Sequence, residues 1–248
     1  MNRTLIYAHR GANREAGENT RTAFDKALAY PIDGIETDVQ LSRDEVAVLW
    51  HDRDLKKLHL PGKHIDDYDH AQLREMDFAA HFEGAAREGV MSLQEFLAVY
   101  RMRCRLLLEI KLRDWESPER RELKVRQTLA LAGGVRDGRV LASSFNLDGL
   151  VYAHSVAPDF PLVFNLEPEH QADFAQRALL ANPFLHGLCV HIDTLDEGMM
   201  GVVRERGKSI AVYTCNSDEE IARALGLGVD VLISDVPQKA LQMRSAKS

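Results

Sequence analysis

Residues 4–8 of the sequence read Thr-Leu-Ile-Tyr-Ala, a short aliphatic and β-branched run that predicts a β-strand, and His9, Arg10 and Gly11 follow it at once. Seven further runs of this kind recur along the chain, and segments of helical character separate them. The eight predicted strands are 4–8, 34–39, 106–111, 139–143, 161–166, 187–191, 209–214 and 229–234. Strands that alternate with helices favour a parallel sheet, because parallel neighbours need a long crossover between them. Eight such units close into a ring, so the sequence predicts an α/β fold with an eight-stranded parallel (β/α) TIM-type barrel.

Two stretches depart from this alternation. Residues 46–50 (Val-Ala-Val-Leu-Trp) follow the second strand after too few residues for a crossover, so they are predicted to pair antiparallel with it. Residues 53–90 form a long polar segment with one short helical pattern at 69–77, and we interpret them as a small cap-like insertion after the second strand. No linker or internal repeat marks a further domain, so residues 1–248 are predicted to form a single barrel domain.

The composition excludes several classes of protein. Acidic side chains outnumber basic ones by 38 to 31, which gives a net charge of −7 and argues against nucleic-acid binding. Cys104, Cys189 and Cys215 are widely spaced and offer neither a disulfide framework nor a zinc ribbon. The apolar run near the N-terminus stops at Ala8, too early for a secretory signal or a membrane span. These features predict a cytoplasmic protein without stable membrane insertion, and they leave the oligomeric state open.

Polar residues cluster where the predicted strands end. Four pairs lie there: His9-Arg10, Glu36-x-Asp38, His51-Asp52 and Glu109-x-Lys111. In an α/β barrel the chemistry sits at the C-terminal ends of the strands, and residues two apart on a strand point to the same side. Three carboxylates inside a barrel are costly to bury without a partner, so a cation is the natural compensation. The sequence therefore predicts an oxygen-donor metal site formed by Glu36, Asp38 and Glu109, suited to Mg²⁺ or Ca²⁺.

The order and spacing of these motifs resemble those of the glycerophosphodiester phosphodiesterase family, in particular its short cytosolic bacterial members. The matching segments are Ala8-His9-Arg10-Gly11, Glu18-Asn19-Thr20, Glu36-Thr37-Asp38, His51-Asp52, Glu109-Ile110-Lys111, Val212-Tyr213-Thr214-Cys215-Asn216 and Ser234-Asp235-Val236-Pro237. The resemblance implies a metal-dependent barrel with a small insertion after the second strand. The chain departs from the family at Gly17, where Pro is common, and at Tyr213, where Trp is common; Tyr213 bears on substrate preference.

The resemblance also implies a reaction, the hydrolysis of glycerophosphodiesters to glycerol 3-phosphate and an alcohol. Arg10 and Lys111 are suited to hold phosphate oxygens, the first as a planar fork and the second as a point charge. A poor nucleophile and a poor leaving group call for a base and an acid, which two histidines supply near neutral pH. By the resemblance His9 is the base and His51 the acid, although the sequence alone does not order them.

Further residues receive secondary roles. Four are predicted at the substrate site, namely Glu18, Phe145, His191 and Tyr213, with core packing as the alternative for the two aromatic rings. Asn19 and Thr20 open a predicted helix and are interpreted as N-cap residues. Asp235 precedes Val236-Pro237 at the start of the last helix, and we interpret it as a capping residue.

Other functions remain as alternatives. A phospholipase-type or cyclising phosphodiesterase acting on lysophospholipids fits the same barrel, but it would be expected to carry an apolar entry loop, and residues 53–90 are polar. A non-catalytic binding barrel would tolerate the loss of a metal or histidine position, and none is lost. A metal-dependent amidohydrolase is disfavoured because its first strand would carry His-x-His where this chain has His9-Arg10-Gly11. The predicted partner is thus a small-molecule glycerophosphodiester.

Overall fold

A computed structural model of the chain describes residues 3–133 and 138–246. Eight parallel strands form a closed ring, in which each pairs with the next barrel strand along the chain and the last pairs back with the first. They are β1 (Leu5–His9), β2 (Gly34–Leu41), β6 (Arg105–Ile110), β7 (Val140–Ser144), β8 (Leu162–Asn165), β9 (Gly187–His191), β10 (Ser209–Tyr213) and β11 (Val231–Ser234). The predicted α/β barrel is confirmed.

Helices separate the barrel strands, as the alternation of patterns predicts. In chain order they are α1 (Arg21–Ala27), α2 (His70–Arg74), α3 (Leu93–Tyr100), α4 (Pro118–Ala132), α5 (Leu147–Val156), α6 (Ala172–Ala181), α7 (Glu197–Arg204), α8 (Asp218–Leu227) and α9 (Pro237–Ala246). Side-chain caps fix where several of them begin: the Ser92 and Ser217 hydroxyls accept from the backbone N–H three residues on, and a glutamate returns the bond. None of the helices in the described part of the chain is long and apolar enough to cross a bilayer.

The core has two layers. Outside the barrel, the apolar faces of the helices pack on the outward side chains of the strands, such as Leu106 and Leu108 of β6. Inside it, Tyr7, Leu107 and Ile233 pack with other inward side chains. Because inward residues alternate with outward ones along each strand, this apolar plug lies beneath the next inward layer, which is polar. The plug forms an apolar floor beneath the residues at the C-terminal ends of the strands.

Residues 46–90 form the structures that the alternation does not explain. A short strand β3 (Ala47–Leu49) pairs antiparallel with the end of β2, as predicted. Within the 53–90 segment, β4 (Asp54–Leu55) and β5 (Leu60–His64) make a two-stranded antiparallel sheet, and the helical pattern at 69–77 corresponds to α2. The segment contributes most of a small apolar cluster of its own, which includes Trp50, Leu55, Ile65, Leu73 and Phe78.

Candidate active site

The strand-end pairs converge on one cavity at the C-terminal end of the barrel. Register explains the convergence: His9 of β1 lies beside Glu36 of β2, and Asp38 lies beside Glu109 of β6. The cavity has a volume of about 190 Å³. It is lined by His9, Arg10, Glu36, His51, Leu107, Glu109, Lys111, Ser143, Phe145, Asn165, Cys189, Tyr213, Thr214 and Ile233.

Glu36, Asp38 and Glu109 meet in one cluster of carboxylates. Each offers an oxygen, and these three oxygens lie within 4.8 Å of one another. Glu36 and Asp38 are buried, and Oε2 of Glu36 has no hydrogen-bond partner in the part of the chain that the structure describes. Burial, together with the neighbouring Asp38 charge, raises the pKa of Glu36 well above its usual range. A buried all-oxygen cluster with an unpaired carboxylate oxygen fits a hard divalent cation, which would supply the missing positive charge.

Asp38 is held by two cations. Arg10 Nε lies 3.1 Å from Asp38 Oδ2, and Lys111 Nζ lies 3.1 Å from Asp38 Oδ1. Burial alone would raise the pKa of Asp38, but Lys111 and Arg10 hold it well below its usual range. The amide of Asn19 also donates to Asp38 Oδ2, over 3.0 Å, and its carbonyl accepts from Thr37. Asp38 is therefore ionised, and it aligns the two basic side chains at the edge of the carboxylate cluster.

The turn after β1 aims Arg10 into the cavity. Arg10 and Gly11 both have positive φ angles, 55° and 82°. A Cβ atom at Gly11 would lie 2.7 Å from the carbonyl carbon of Ala23, so only glycine fits at this position. The left-handed turn lets the chain reverse directly after His9 and keeps the Arg10 guanidinium over the carboxylates.

His9 is oriented by a carboxylate from the far end of the chain. Its Nδ1 lies 2.6 Å from Oδ1 of Asp235, which follows β11. Because an ionised carboxylate only accepts hydrogen bonds, Nδ1 carries the proton and Nε2 is left free. Nε2 lies 3.8 Å from Glu36 Oε2, on the side of the carboxylate cluster. Burial lowers the pKa of His9, so the ring favours its neutral form.

His51 has an equivalent partner next to it in sequence. Its Nδ1 lies 2.7 Å from Oδ1 of Asp52, which again leaves Nε2 free. The other oxygen of Asp52 lies 2.8 Å from Lys57 Nζ, and the same ammonium group lies 2.9 Å from Glu18 Oε1. The hydrogen bond from His51, joined by Lys57, lowers the pKa of Asp52 far below its ordinary value. Glu18 in turn pairs with Arg10, with 3.2 Å between Oε2 and Nη1.

The remaining predicted site residues take different places. Phe145 and Tyr213 line the cavity and pack edge to face, with ring centroids 5.7 Å apart. His191 packs edge to face on Tyr213 but is not among the lining residues. Glu18 is likewise outside the lining and contacts the site through Arg10.

Two capping assignments were wrong. Asp235 does not cap the last helix: its carboxylate accepts hydrogen bonds from His9, Asn13, Arg14 and Asn216 instead. Thr20 is the N-cap of α1, as predicted, but Asn19 binds Asp38. Sequence reasoning also missed Lys57, because only the folded insertion brings it to Asp52.

Comparisons with known proteins find relatives over nearly the whole chain. The model of the glycerophosphoryl diester phosphodiesterase family matches residues 9–239. A glycerophosphodiester phosphodiesterase of Bacillus altitudinis is 30% identical over 249 residues, covering 97% of this chain and 98% of the relative. One from Caldanaerobacter subterraneus subsp. tengcongensis is 28% identical, with 97% and 98% covered.

A solved structure of similar shape is that of an Oleispira antarctica phosphodiesterase in complex with its product, sn-glycerol-3-phosphate. It is 25% identical, has a TM-score of 0.86, and the alignment covers 98% of this chain and 97% of that one. The family match over nearly the whole chain, together with the B. altitudinis relative, is decisive. The chain belongs to the glycerophosphoryl diester phosphodiesterase family.

Proposed function

We propose that this enzyme hydrolyses glycerophosphodiesters to glycerol 3-phosphate and an alcohol, with a divalent cation and two histidines. The observation that carries the proposal is the convergence of three carboxylates with two histidines. Each histidine is hydrogen-bonded to an aspartate. The product complex of the O. antarctica relative supports the same product class. The direct test is incubation with a panel of glycerophosphodiesters and lysophospholipids, with and without chelator, and an assay for glycerol 3-phosphate.

Glu36, Asp38 and Glu109 would hold the cation. Their oxygen donors suit Mg²⁺ or Ca²⁺, and the donor set contains no thiolate that would favour a softer metal. When bound, the cation would attract a non-bridging phosphate oxygen and offset the charge that grows in the transition state. Arg10 and Lys111 flank the cluster and would hold the remaining phosphate oxygens through the N–H groups that Asp38 does not use.

We assign His9 as the general base and His51 as the general acid. Burial keeps His9 neutral with Nε2 unprotonated, the state in which it can accept a proton. Asp235 fixes that tautomer and would stabilise the ring after it has accepted the proton. His51, held by Asp52 through Nδ1, would carry a second proton on Nε2 and donate it to the leaving alcohol.

No side chain of the cavity is set up as a covalent nucleophile. Ser143 and Cys189 line it. The Ser143 hydroxyl has the amide of Asn165 as its neighbour, 3.4 Å away. Burial raises the pKa of the Cys189 thiol well above its ordinary value, so it is not a thiolate. The nucleophile that attacks phosphorus is then either water or the glycerol 2-hydroxyl of the substrate.

We favour attack by the glycerol 2-hydroxyl, because this group is already tethered beside phosphorus and gains the advantage of a positioned nucleophile. His9 would deprotonate it in the first step. In the second step His51, now deprotonated, would take a proton from the water that opens the cyclic phosphate, and His9 would return its proton to the released 2-oxygen. A substrate with hydrogen in place of that hydroxyl is expected to bind but to turn over about 10²-fold or more slowly. Steady-state kinetics on the two substrates measures the ratio, and near-normal turnover of the analogue would count against the cyclic route.

Replacing Lys57 by Met is expected to lower kcat/KM about 10- to 100-fold, the range seen when a partner that orients a site ligand is lost. The variant leaves Asp52 and Glu18 without their shared cation, so both His51 and Arg10 lose support. Lys57→Arg should restore part of the activity. The matched control is Lys56→Met, since Lys56 is largely exposed and its ammonium group pairs, among the described residues, with Asp54 alone. Equal activity of the two Met variants would refute the role of Lys57.

The Lys57 contacts also support the view that residues 53–90 act as a cap-like insertion on one domain formed by residues 1–248.

The lysophospholipid alternative predicts turnover of substrates that carry an acyl chain. The small cavity, with its charged wall, favours a short polar substrate instead. The cytoplasmic location stays a prediction.

A further inference from the structure

A side-chain amide that lacks hydrogen bonds lies in the active-site cavity. Asn165 is the last residue of β8, lines the cavity and is 5% exposed. Among residues 3–133 and 138–246, its Oδ1 atom has no hydrogen-bond partner, and its Nδ2 atom makes a single long contact of 3.4 Å to the Ser143 hydroxyl. A buried amide left in this state destabilises the fold, and an apolar side chain of the same size would avoid the penalty. The amide is therefore available to a ligand.

The rest of this wall offers a ligand little else to bind. The Tyr213 hydroxyl donates to the backbone carbonyl of Leu166 over 2.7 Å, so its proton is already engaged. Phe145 presents an apolar ring, and Cys189 a protonated thiol. Asn165, with Ser143 beside it, is consequently a neutral hydrogen-bonding group on the side of the cavity opposite His9.

The strand order places Asn165 across the barrel from His9. Counting around the ring from β1, which carries His9, β8 is the fifth of eight strands and so lies opposite β1. A phosphate held between Arg10 and Lys111 would sit on the charged side. The glycerol 2-hydroxyl, next to phosphorus, would stay near His9, whereas the terminal hydroxyl is the part of the glycerol that reaches farthest from it.

We propose that Asn165 is a specificity-determining residue that hydrogen-bonds the terminal hydroxyl of the glycerol moiety. The proposal rests on the proposed function and deepens it, since it explains how a polyol is distinguished from a shorter or deoxygenated alcohol. A site that provides a buried partner for one hydroxyl rejects analogues without it, because the partner is then left unsatisfied.

The test compares the affinity of two ligands for the Mg²⁺-loaded enzyme by titration calorimetry. The ligands are glycerol 3-phosphate and propane-1,2-diol 1-phosphate, which lacks only the terminal hydroxyl. The wild type is expected to prefer glycerol 3-phosphate about 10- to 100-fold. Asn165→Leu should bind the two ligands with equal affinity, because the substitution should lower the affinity for glycerol 3-phosphate alone. Asn165→Ala serves as a second variant should the Leu variant not fold.

The control is Asn182→Ala, because Asn182 is also buried but binds a backbone carbonyl of α6, outside the cavity. It should keep the wild-type preference. If both Asn165 variants weaken the two ligands by the same factor, or if the wild type shows no preference, the proposal is overturned. A wild type that prefers glycerol 3-phosphate but hydrolyses no glycerophosphodiester would instead refute the proposed function and leave the assignment of Asn165 standing.

Discussion

Removal of divalent cations by a chelator is expected to abolish turnover, and Mg²⁺ or Ca²⁺ should restore it. The reason is the cluster of Glu36, Asp38 and Glu109, whose oxygens lie within 4.8 Å of one another with Glu36 Oε2 unpaired. Glu109→Gln should keep the fold, because the amide oxygen can still accept from Lys111. It should raise the cation concentration needed for half-maximal activity by at least about 10-fold, since loss of a group that merely orients a metal ligand already costs about 10- to 100-fold. Activity titrated against added metal measures both effects.

The chain offers a matched control for this experiment. His64, Asp66 and Asp67 form another group of three possible metal ligands among the described residues, and they lie in the insertion. Asp67→Asn removes a carboxylate from that group, which is partly exposed and has no link to the cavity lining. The metal requirement of this variant should equal that of the wild type. Full activity of the wild type in excess chelator would refute the assignment of a metal site.

Alanine at His9 or at His51 is expected to lower kcat by about 10²–10⁴-fold, the range typical of a lost general acid or base. The double variant should be far from additive, because the two rings serve one proton-transfer sequence and the second loss removes little that remains. KM should change little, since Arg10, Lys111 and the cation carry the binding of phosphate. Steady-state kinetics of the three variants, with thermal unfolding of each, provides the measurement.

His154→Ala is the control for loss of a histidine ring, because His154 lies on α5 and stacks on Phe184 away from the cavity. Its kcat should match that of the wild type. The acid–base roles should be abandoned if the His9 and His51 variants unfold or if they change KM alone.

The strand-end rule predicted most of this site because barrel geometry is regular. Once a run is recognised as a parallel barrel strand, its last residues must lie at one end of the ring, so Glu36, Asp38 and Glu109 could be placed together without coordinates. Consistent application of the same rule would have found Asp235 and Asn165, which also follow or end barrel strands. A local reading as a helix cap obscured Asp235, because Asp before Val-Pro at a helix start is also a capping signal.

Other parts of the site had no signal in the sequence. Lys57 reaches Asp52 only because β4, β5 and the turn between them fold over their own apolar cluster. That cluster draws on scattered residues with no clear period, so the polar composition of the segment concealed it. Asn19 likewise gave the pattern of a helix start, and its bond to Asp38 depends on where the loop after β1 runs.

The hydrogen bond between His9 and Asp235 joins residues 226 positions apart. During synthesis on the ribosome, a nascent chain would already contain His9, His51 and the three carboxylates when less than half of its sequence had emerged. Yet β1 could not pair with β11, nor could Asp235 hold His9 in its reactive tautomer, until the last strand had been made. Ring closure and the orientation of the base are therefore the same late event, and an incomplete chain would carry most of the catalytic groups without the ability to use them.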